Sequence, residues 1–313
     1  MKGIYLITGA TGFVGACLTY KLVKLGKTVH VFSRKKQPNW RLNGIKNAIH
    51  FHTIDLQDNN LTNLMLKINP TYIFHLAAYG SLPQEDNLQK MISTNILGTI
   101  NLINASKQSN VKLIINTSSS AEYASKDSAF KETDTLGPMN DYAVSKVAQT
   151  LYCQKEALRN NIPIITFRLF STFGYLEEKT RLIPHTILHA LKNEDIPLSN
   201  KHFVRDLIFI EDVIDAYIKA SIQIPKPGEI FNIGTGKQFT IEQVVNQIIK
   251  ISKSKSSPLW GSIQKQDRQI EPKVWKANRE KAYIAFDWKP NNSMKVSLTK
   301  TIDWFKKNKN LYA

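Results

Sequence analysis

The sequence predicts an α/β protein in which a doubly wound parallel sheet is joined to a smaller mixed α/β lobe. Three observations carry that expectation. Short apolar, β-rich runs alternate with longer amphipathic stretches through the first half of the chain, and a glycine-rich turn joins the first run to the first of those stretches. Beyond Ser171 the pattern breaks into smaller pieces at Pro184, Pro197, Pro225, Pro227, Pro258, Pro272 and Pro290. Regular alternation means parallel strands linked by crossover helices, and right-handed crossovers place helices on both sheet faces.

Taken in order, Ile4–Thr8, Thr28–Ser33, Ile49–Ile54, Tyr72–Leu76, Lys112–Asn116 and Pro163–Leu169 read as strands. Phe13–Leu25 reads as a helix stopped by Gly26, while Leu88–Lys107 and Asp141–Arg159 are long enough for crossover helices. Further on, Arg205–Phe209, the helix-like Glu211–Ser221 and the strand Glu229–Ile233 return toward the main sheet. Residues 1–170, with returning segments near 205–235, are therefore expected to form the larger unit, and 171–204 with 236–313 the smaller lobe. No internal repeat is visible, and Ser252–Ser257 is too short for a disordered tract.

With 313 residues, 42% of them hydrophobic and 21% charged, the chain can bury the core of one large domain or two closely joined ones. Cys17 and Cys153 give neither a disulfide framework nor metal-ligand spacing, so a reducing cytosol is the expected compartment and no metal site is readable. The amino terminus carries a glycine turn where a signal peptide needs an apolar core, and no apolar run approaches membrane-spanning length. A soluble, unprocessed chain is expected. The net charge of +17 invites a nucleic-acid reading. Its lysines are scattered, however, thickening only at Arg34–Lys36, at Lys253 and Lys255, and at Lys306–Lys309, with no accompanying nucleic-acid motif. A solvated basic surface that favours an anionic small molecule is the expectation.

Thr8-Gly9-Ala10-Thr11-Gly12-Phe13-Val14-Gly15 follows an apolar strand and opens a helix. In that context glycines permit a tight turn and close backbone approach, so that a pyrophosphate accepts bonds from amides at the helix amino end. A dinucleotide without a 2′-phosphate usually meets an acidic residue after the second strand. Here the segment runs Val31-Phe32-Ser33-Arg34-Lys35-Lys36, and a hydroxyl followed by cations suits an added phosphate. NADPH is thus expected over NAD. Asp55 either accepts a bond from the adenine amino group or caps a helix beginning after Leu56.

Tyr142 and Lys146 are four residues apart on an amphipathic stretch, which places them on one helix face downstream of the serine run Ser118, Ser119 and Ser120. An ammonium near a phenol favours phenolate and draws its pKa down from about 10. A phenol so tuned gives and takes protons. The combination proposes hydride transfer at a carbinol or ketone carbon beside a nicotinamide ring.

Together with His75-Leu76-Ala77-Ala78 and Arg205-Asp206, these motifs resemble the extended short-chain dehydrogenase/reductase family over nearly the whole chain. More narrowly they resemble its sugar-nucleotide branch of 4-epimerases, 4,6-dehydratases and 4-keto-6-deoxysugar reductases. The resemblance implies a Rossmann-type sheet binding the dinucleotide, with a nucleoside-diphosphate sugar in the cleft and a homodimer formed through the two long crossover helices. It maps the catalytic serine four residues before Tyr123, onto Ser119, with Tyr142 as proton donor and Lys146 on the nicotinamide ribose. It adds Leu56, Leu76, Ala77, Ala78 and Asn95 to the cofactor site. For the substrate it implies Tyr79, Ser119, Ser120, Ser171, Arg181, Pro184, Arg205 and Arg268, the arginines gripping diphosphate with guanidinium forks.

Departures from the family pattern choose among reactions. Dehydratases carry Asp-Glu directly after the catalytic threonine, whereas this chain has Ser120-Ala121, which disfavours dehydration. Enzymes that epimerise carbons 3 and 5 need a cysteine and histidine pair, for which Cys17, Cys153 and the apparently partnerless His185 are poor candidates. Ser171 replaces a common asparagine and Asn278 a common aspartate. NADPH-dependent reduction of a nucleoside-diphosphate 4-keto-6-deoxyhexose at carbon 4 is the first expectation, because a reductase exchanges its cofactor every turnover. Four-epimerisation with retained NAD is the alternative. A noncatalytic dinucleotide-sensing or RNA-binding protein is the rival of another class.

Overall fold

The computed structural model describes residues 3–34, 36, 39–263 and 272–312. Seven parallel strands form the central sheet. Six are β1 (Ile4–Thr8), β2 (Thr28–Ser33), β3 (His50–Thr53), β4 (Tyr72–His75), β5 (Leu113–Ser119) and β6 (Ile164–Leu169). The seventh, Ile230–Ile233, lies at the edge beside β6, giving the spatial order seventh, β6, β5, β4, β1, β2, β3. This is the doubly wound, Rossmann-like architecture that alternation predicts.

Side chains alternate across the sheet and both faces are buried, as a parallel sheet between helices requires. Tyr5 and Ile7 of β1, Tyr72 and Phe74 of β4, and Ile115 of β5 join one core with the helices Phe13–Lys24 (α1) and Ile210–Ile222. Leu6, Ile73 and Ile114 join the other, beneath the helices Leu61–Ile68, Gly98–Ser106 and Asp141–Asn160. The connection after β4 is one helical run made of Leu88–Met91, a π-helical turn Ile92–Leu97, and Gly98–Ser106.

Two expected boundaries differ in ways that matter. β5 runs on to Ser119 instead of stopping at Asn116, because Ser118 and Ser119 pair in register with Arg168 and Leu169 of β6. Tertiary pairing there overrides the weak strand preference of serine. The expected strand Arg205–Phe209 is split at Asp206: Val204–Arg205 pairs antiparallel with Phe239–Thr240, whereas Leu207–Phe209 pairs in parallel with Ser171–Phe173. Neither piece enters the main sheet. The helices Leu182–Lys192, Ile241–Ser252 and Met294–Lys307 pack on one another next to these small sheets.

Candidate active site

The expected cofactor residues gather at the carboxyl ends of the strands, where an open α/β sheet offers its crevice. The three glycines of the first turn do different work. Gly9 has φ +72°, and a Cβ there would stand 2.5 Å from the Leu76 carbonyl oxygen and the Ala77 nitrogen, so only glycine lets the turn press on the end of β4. A Cβ on Gly15 would come within 2.3 Å of the Gly9 oxygen, which keeps α1 tight on the turn. At Gly12 the one close neighbour is that same oxygen, at 3.3 Å, and the rest faces open space. Gly12 caps α1 with no side-chain bond and no acid follows in the first turn. Amides near Phe13 and Val14 at the amino end of α1 are thus open to an anion, and the cradle fits a dinucleotide pyrophosphate.

Around this cradle, Ser33 is buried at the end of β2 and Arg34 is exposed beyond it, and no acid stands in the sequence run 33–36. Asp55 accepts a bond from the Gln57 amide at 3.0 Å and caps no helix, since the next one begins at Leu61 with Asn60 before it. The capping alternative falls for that reason. Leu56 is buried and its carbonyl accepts from Asn101 at 3.0 Å. Thr11 is braced through its carbonyl by Asn39 at 2.7 Å. Leu76 and Ala77 are fixed to Thr8, and Ala78 is exposed at the crevice.

Asn95 sits in the π-helical turn, fully buried, and uses its whole amide. Its oxygen accepts from the Tyr79 amide, and its nitrogen donates to the Tyr79 carbonyl and the Ser145 hydroxyl, each at 2.8 Å. One side chain thereby joins the segment after β4 to the helix of Tyr142 and Lys146. Asn140 caps that helix by accepting from Ala143 at 2.9 Å, fixing where Tyr142 begins it.

Of the three serines, Ser119 is the one whose side chain acts on the Tyr142 phenol, favouring its ionised form. Its own oxygen accepts from the Ala121 amide at 3.1 Å. The expected lowering of the phenol pKa by Lys146 is not what the structure shows. Burial pushes Tyr142 up to about 12, opposed first by the Arg181 guanidinium and then by the Ser119 side chain. The Lys146 ammonium, 1% exposed, donates instead to the Thr117 carbonyl at 2.7 Å and to Gln149 Oε1. Burial brings its own pKa down from 10.5 to about 8.

From Lys146 a buried chain runs back to the glycine turn, and its proton order follows from the donors. Thr99 donates to the Asn95 carbonyl at 2.7 Å, so its oxygen receives the Gln149 amide at 3.0 Å and His75 Nε2 at 2.8 Å. With Nε2 carrying the proton, Nδ1 accepts from the Thr8 hydroxyl at 2.6 Å. Burial holds His75 neutral by lowering its pKa to about 3, consistent with that tautomer. Gln149 and Thr99 are absent from the sequence expectations. Gln149, three residues beyond Lys146 on the same helix, was open to detection; Thr99 was not.

The expected substrate residues form two groups. Tyr79, Ser120 and Arg181 belong with Tyr142: Ser120 is buried in the turn after Ser119, and exposed Arg181 stands immediately before the helix Leu182–Lys192, which buries Pro184. Ser171 and Arg205 belong to a second group organised by buried Asp206, whose carbonyl accepts from the Ser171 amide at 3.0 Å. Its carboxylate accepts from Thr235 N, Thr235 Oγ1, Gly236 N and Ala277 N at 2.6–3.0 Å. Arg268 lies outside the described residues. His185 does have a partner, the Pro197 carbonyl at 2.9 Å from Nε2. Among the described residues no cluster of metal-ligating side chains is present.

The family model described as the NAD dependent epimerase/dehydratase family matches residues 5–234. The chain belongs to that family. It is an enzyme of the extended short-chain dehydrogenase/reductase type, whose members act on nucleotide sugars with a nicotinamide dinucleotide. It is 28% identical to a UDP-glucuronate 4-epimerase of Thermodesulfobacterium geofontis, covering 98% of this chain and 97% of that protein. To a dTDP-D-glucose 4,6-dehydratase of Mus musculus it is 24% identical, over 97% of this chain and 88% of that protein. Its fold matches the UDP-glucuronic acid 4-epimerase from Bacillus cereus, solved with UDP-glucuronic acid and NAD, at a TM-score of 0.85 and 24% identity over 97% and 99% of the two chains. No described helix of this family member is long and apolar enough to cross a membrane.

Proposed function

We propose that the protein carries out reversible oxidation at carbon 4 of a nucleoside-diphosphate sugar and acts as a 4-epimerase. The observation that carries this reading is the facing of Ser119 and the Tyr142 phenol, one helical turn from a buried Lys146 that is joined through Gln149, Thr99 and His75 to Thr8 beside the glycine turn. The dinucleotide, when bound, supplies hydride exchange with carbon 4 and a positive ring in its oxidised form. That positive charge would favour the Tyr142 phenolate against its burial. The phenolate takes the carbon-4 hydroxyl proton as that carbon is oxidised, and the resulting phenol returns it to the alkoxide formed when hydride reaches the other face of the ketone. Ser119 donates to the same sugar oxygen throughout. Lys146 holds the ribose, and Arg181 and Arg205 take the diphosphate. The larger unit, 1–170 with the returning segments, serves the dinucleotide and the remainder serves the sugar nucleotide.

Dehydration needs an acid placed beside Ser119. The next acid along, Glu122, has no solvent access and its oxygens are occupied within the protein. A homodimer is supported by Val144, Leu151 and Leu158, exposed apolar residues spaced seven apart on the Asp141–Asn160 helix. The cytoplasm is the compartment this chemistry fits.

A second reading, NADPH-dependent reduction of a 4-keto-6-deoxyhexose nucleotide, is favoured by Ser33-Arg34 in a sequence run after β2 that carries cations and no acid. Denaturing the purified protein and identifying the released dinucleotide separates the two. Released NAD, with interconversion of 4-epimers and no net redox change, supports epimerisation. Empty protein that consumes NADPH with a keto sugar, and loses NADP preference in Arg34→Glu, supports reduction. Failure of both reactions refutes the proposal.

A further inference from the structure

Burying a carboxylate is unfavourable unless its charge is paired and its lone pairs are occupied. Glu122, 0% exposed, meets both conditions. One oxygen accepts from the Thr150 hydroxyl at 2.6 Å and from the Ser118 hydroxyl; the other accepts from Arg168 Nε at 2.6 Å. Arg168, equally buried, donates to the Glu132 carbonyl at 3.1 Å and lies 4.6 Å over the Tyr123 ring. Replacing a buried ion pair by apolar side chains of similar volume is often neutral or stabilising. Stability is therefore a poor reason for the pair, and its geometry supplies a better one.

The three partners of Glu122 come from three elements. Ser118 precedes Ser119 on β5, Arg168 is on β6, and Thr150 is on the Asp141–Asn160 helix. On that helix Tyr142, Lys146 and Thr150 follow at intervals of four and share a face. Glu122 itself closes the short turn Ser120–Glu122 that Ser119 caps. Resting on the reading of Ser119, Tyr142 and Lys146 as the working groups, we propose that Glu122 is a positioning residue. Its carboxylate fastens the Ser119 turn to the helix face of Tyr142 and Lys146 and sets a buried negative charge before the ammonium.

The other titratable groups that bear on Lys146 are Cys153, on the same helix, and His75, on β4. Burial raises the Cys153 thiol to about 12 and lowers His75 to about 3, so both are neutral near pH 7. Glu122 opposes the burial that draws Lys146 down. Without that charge a larger share of Lys146 loses its proton at working pH, and the ribose loses a cationic donor.

The test uses full-length protein carrying 13C-lysine, with the Lys146 Cε resonance assigned by its loss in Lys146→Arg. Titration should give a midpoint near 8 in the wild type and one lower by about one pH unit in Glu122→Gln, with Glu122→Asp restoring it. Coincident midpoints overturn the electrostatic half of the proposal. Where Glu122→Gln does not fold, Glu122→Gln with Arg168→Gln is compared with Arg168→Gln alone, so that the two proteins differ only in the Glu122 charge. Thr150→Val keeps the charges and cuts the tether, so kcat should fall about tenfold or more with KM and the Lys146 midpoint unchanged. Unaltered kcat there refutes the clamp. A wild type inactive on every nucleotide sugar would refute the functional reading, while the midpoint comparison still decides the role of Glu122.

Discussion

Replacing Lys146 by methionine should make the dinucleotide-free protein more stable while destroying its activity. Lys146 titrates near 8 in the folded protein against 10.5 unfolded. At 1.36 kcal/mol per unit, that shift corresponds to about 3 kcal/mol of instability carried at neutral pH. Methionine loses the bonds to the Thr117 carbonyl and Gln149, worth about 1 kcal/mol each. A net gain of about 1 kcal/mol at pH 7 remains. The pH dependence is the sharper reading. Between pH 8 and 10.5 the unfolded chain keeps the lysine proton and the folded chain gives it up, so raising pH favours the folded wild type. Lys146→Met has no such term. Urea unfolding at pH 7, 8 and 9 should therefore show the advantage of the variant shrinking by about 1 kcal/mol between pH 8 and 9. A difference that stays constant or widens with pH would refute a buried ammonium kept against its own stability.

Tyr142→Phe should cut turnover about 100-fold or more with dinucleotide affinity within about twofold, by steady-state rates and fluorescence titration; a rate near wild type would remove the phenol from the reaction. Gly12→Ala should fold with an unchanged melting temperature yet bind dinucleotide about tenfold or more weakly, because its Cβ meets only the Gly9 oxygen at 3.3 Å and otherwise points into the cradle. Gly15→Ala, with its Cβ at 2.3 Å from that oxygen, should lose melting temperature as well, and equal behaviour of the two variants would contradict the separate roles assigned to these glycines. Asp206→Ala strands three amides and a hydroxyl and should cost about 3 kcal/mol or more in urea unfolding, a loss under about 1 kcal/mol being incompatible with the bonds described.

Local pattern carried much of this protein. The alternation of short apolar runs with amphipathic stretches, the glycine turn after the first strand and the four-residue step from Tyr142 to Lys146 are all short-range signals. They placed the sheet, the cradle and the facing pair. What pattern could not supply is what each group meets across the fold. The ammonium of Lys146 turns toward Thr117 and Gln149, partners set by how the helix lies on β5, so spacing alone misjudged the phenol's titration. Burial outweighs attraction there. Glu122 reads as an ordinary loop acid until Arg168, 46 positions later, is seen beside it on the adjacent strand. Asp206 likewise appears only as part of a dipeptide motif, whereas its donors come from Thr235, Gly236 and Ala277. The break it makes in the expected strand 205–209 follows from those bonds.

The most direct test of hydride chemistry at carbon 4 is isotopic. UDP-hexose bearing deuterium on carbon 4 is incubated with the protein in ordinary water, and the 4-epimers are separated and analysed by mass and NMR. Retention of deuterium on carbon 4 of the inverted product is predicted, since the hydride leaves that carbon and returns to it. Inverted product that has exchanged its deuterium for solvent hydrogen would contradict the account.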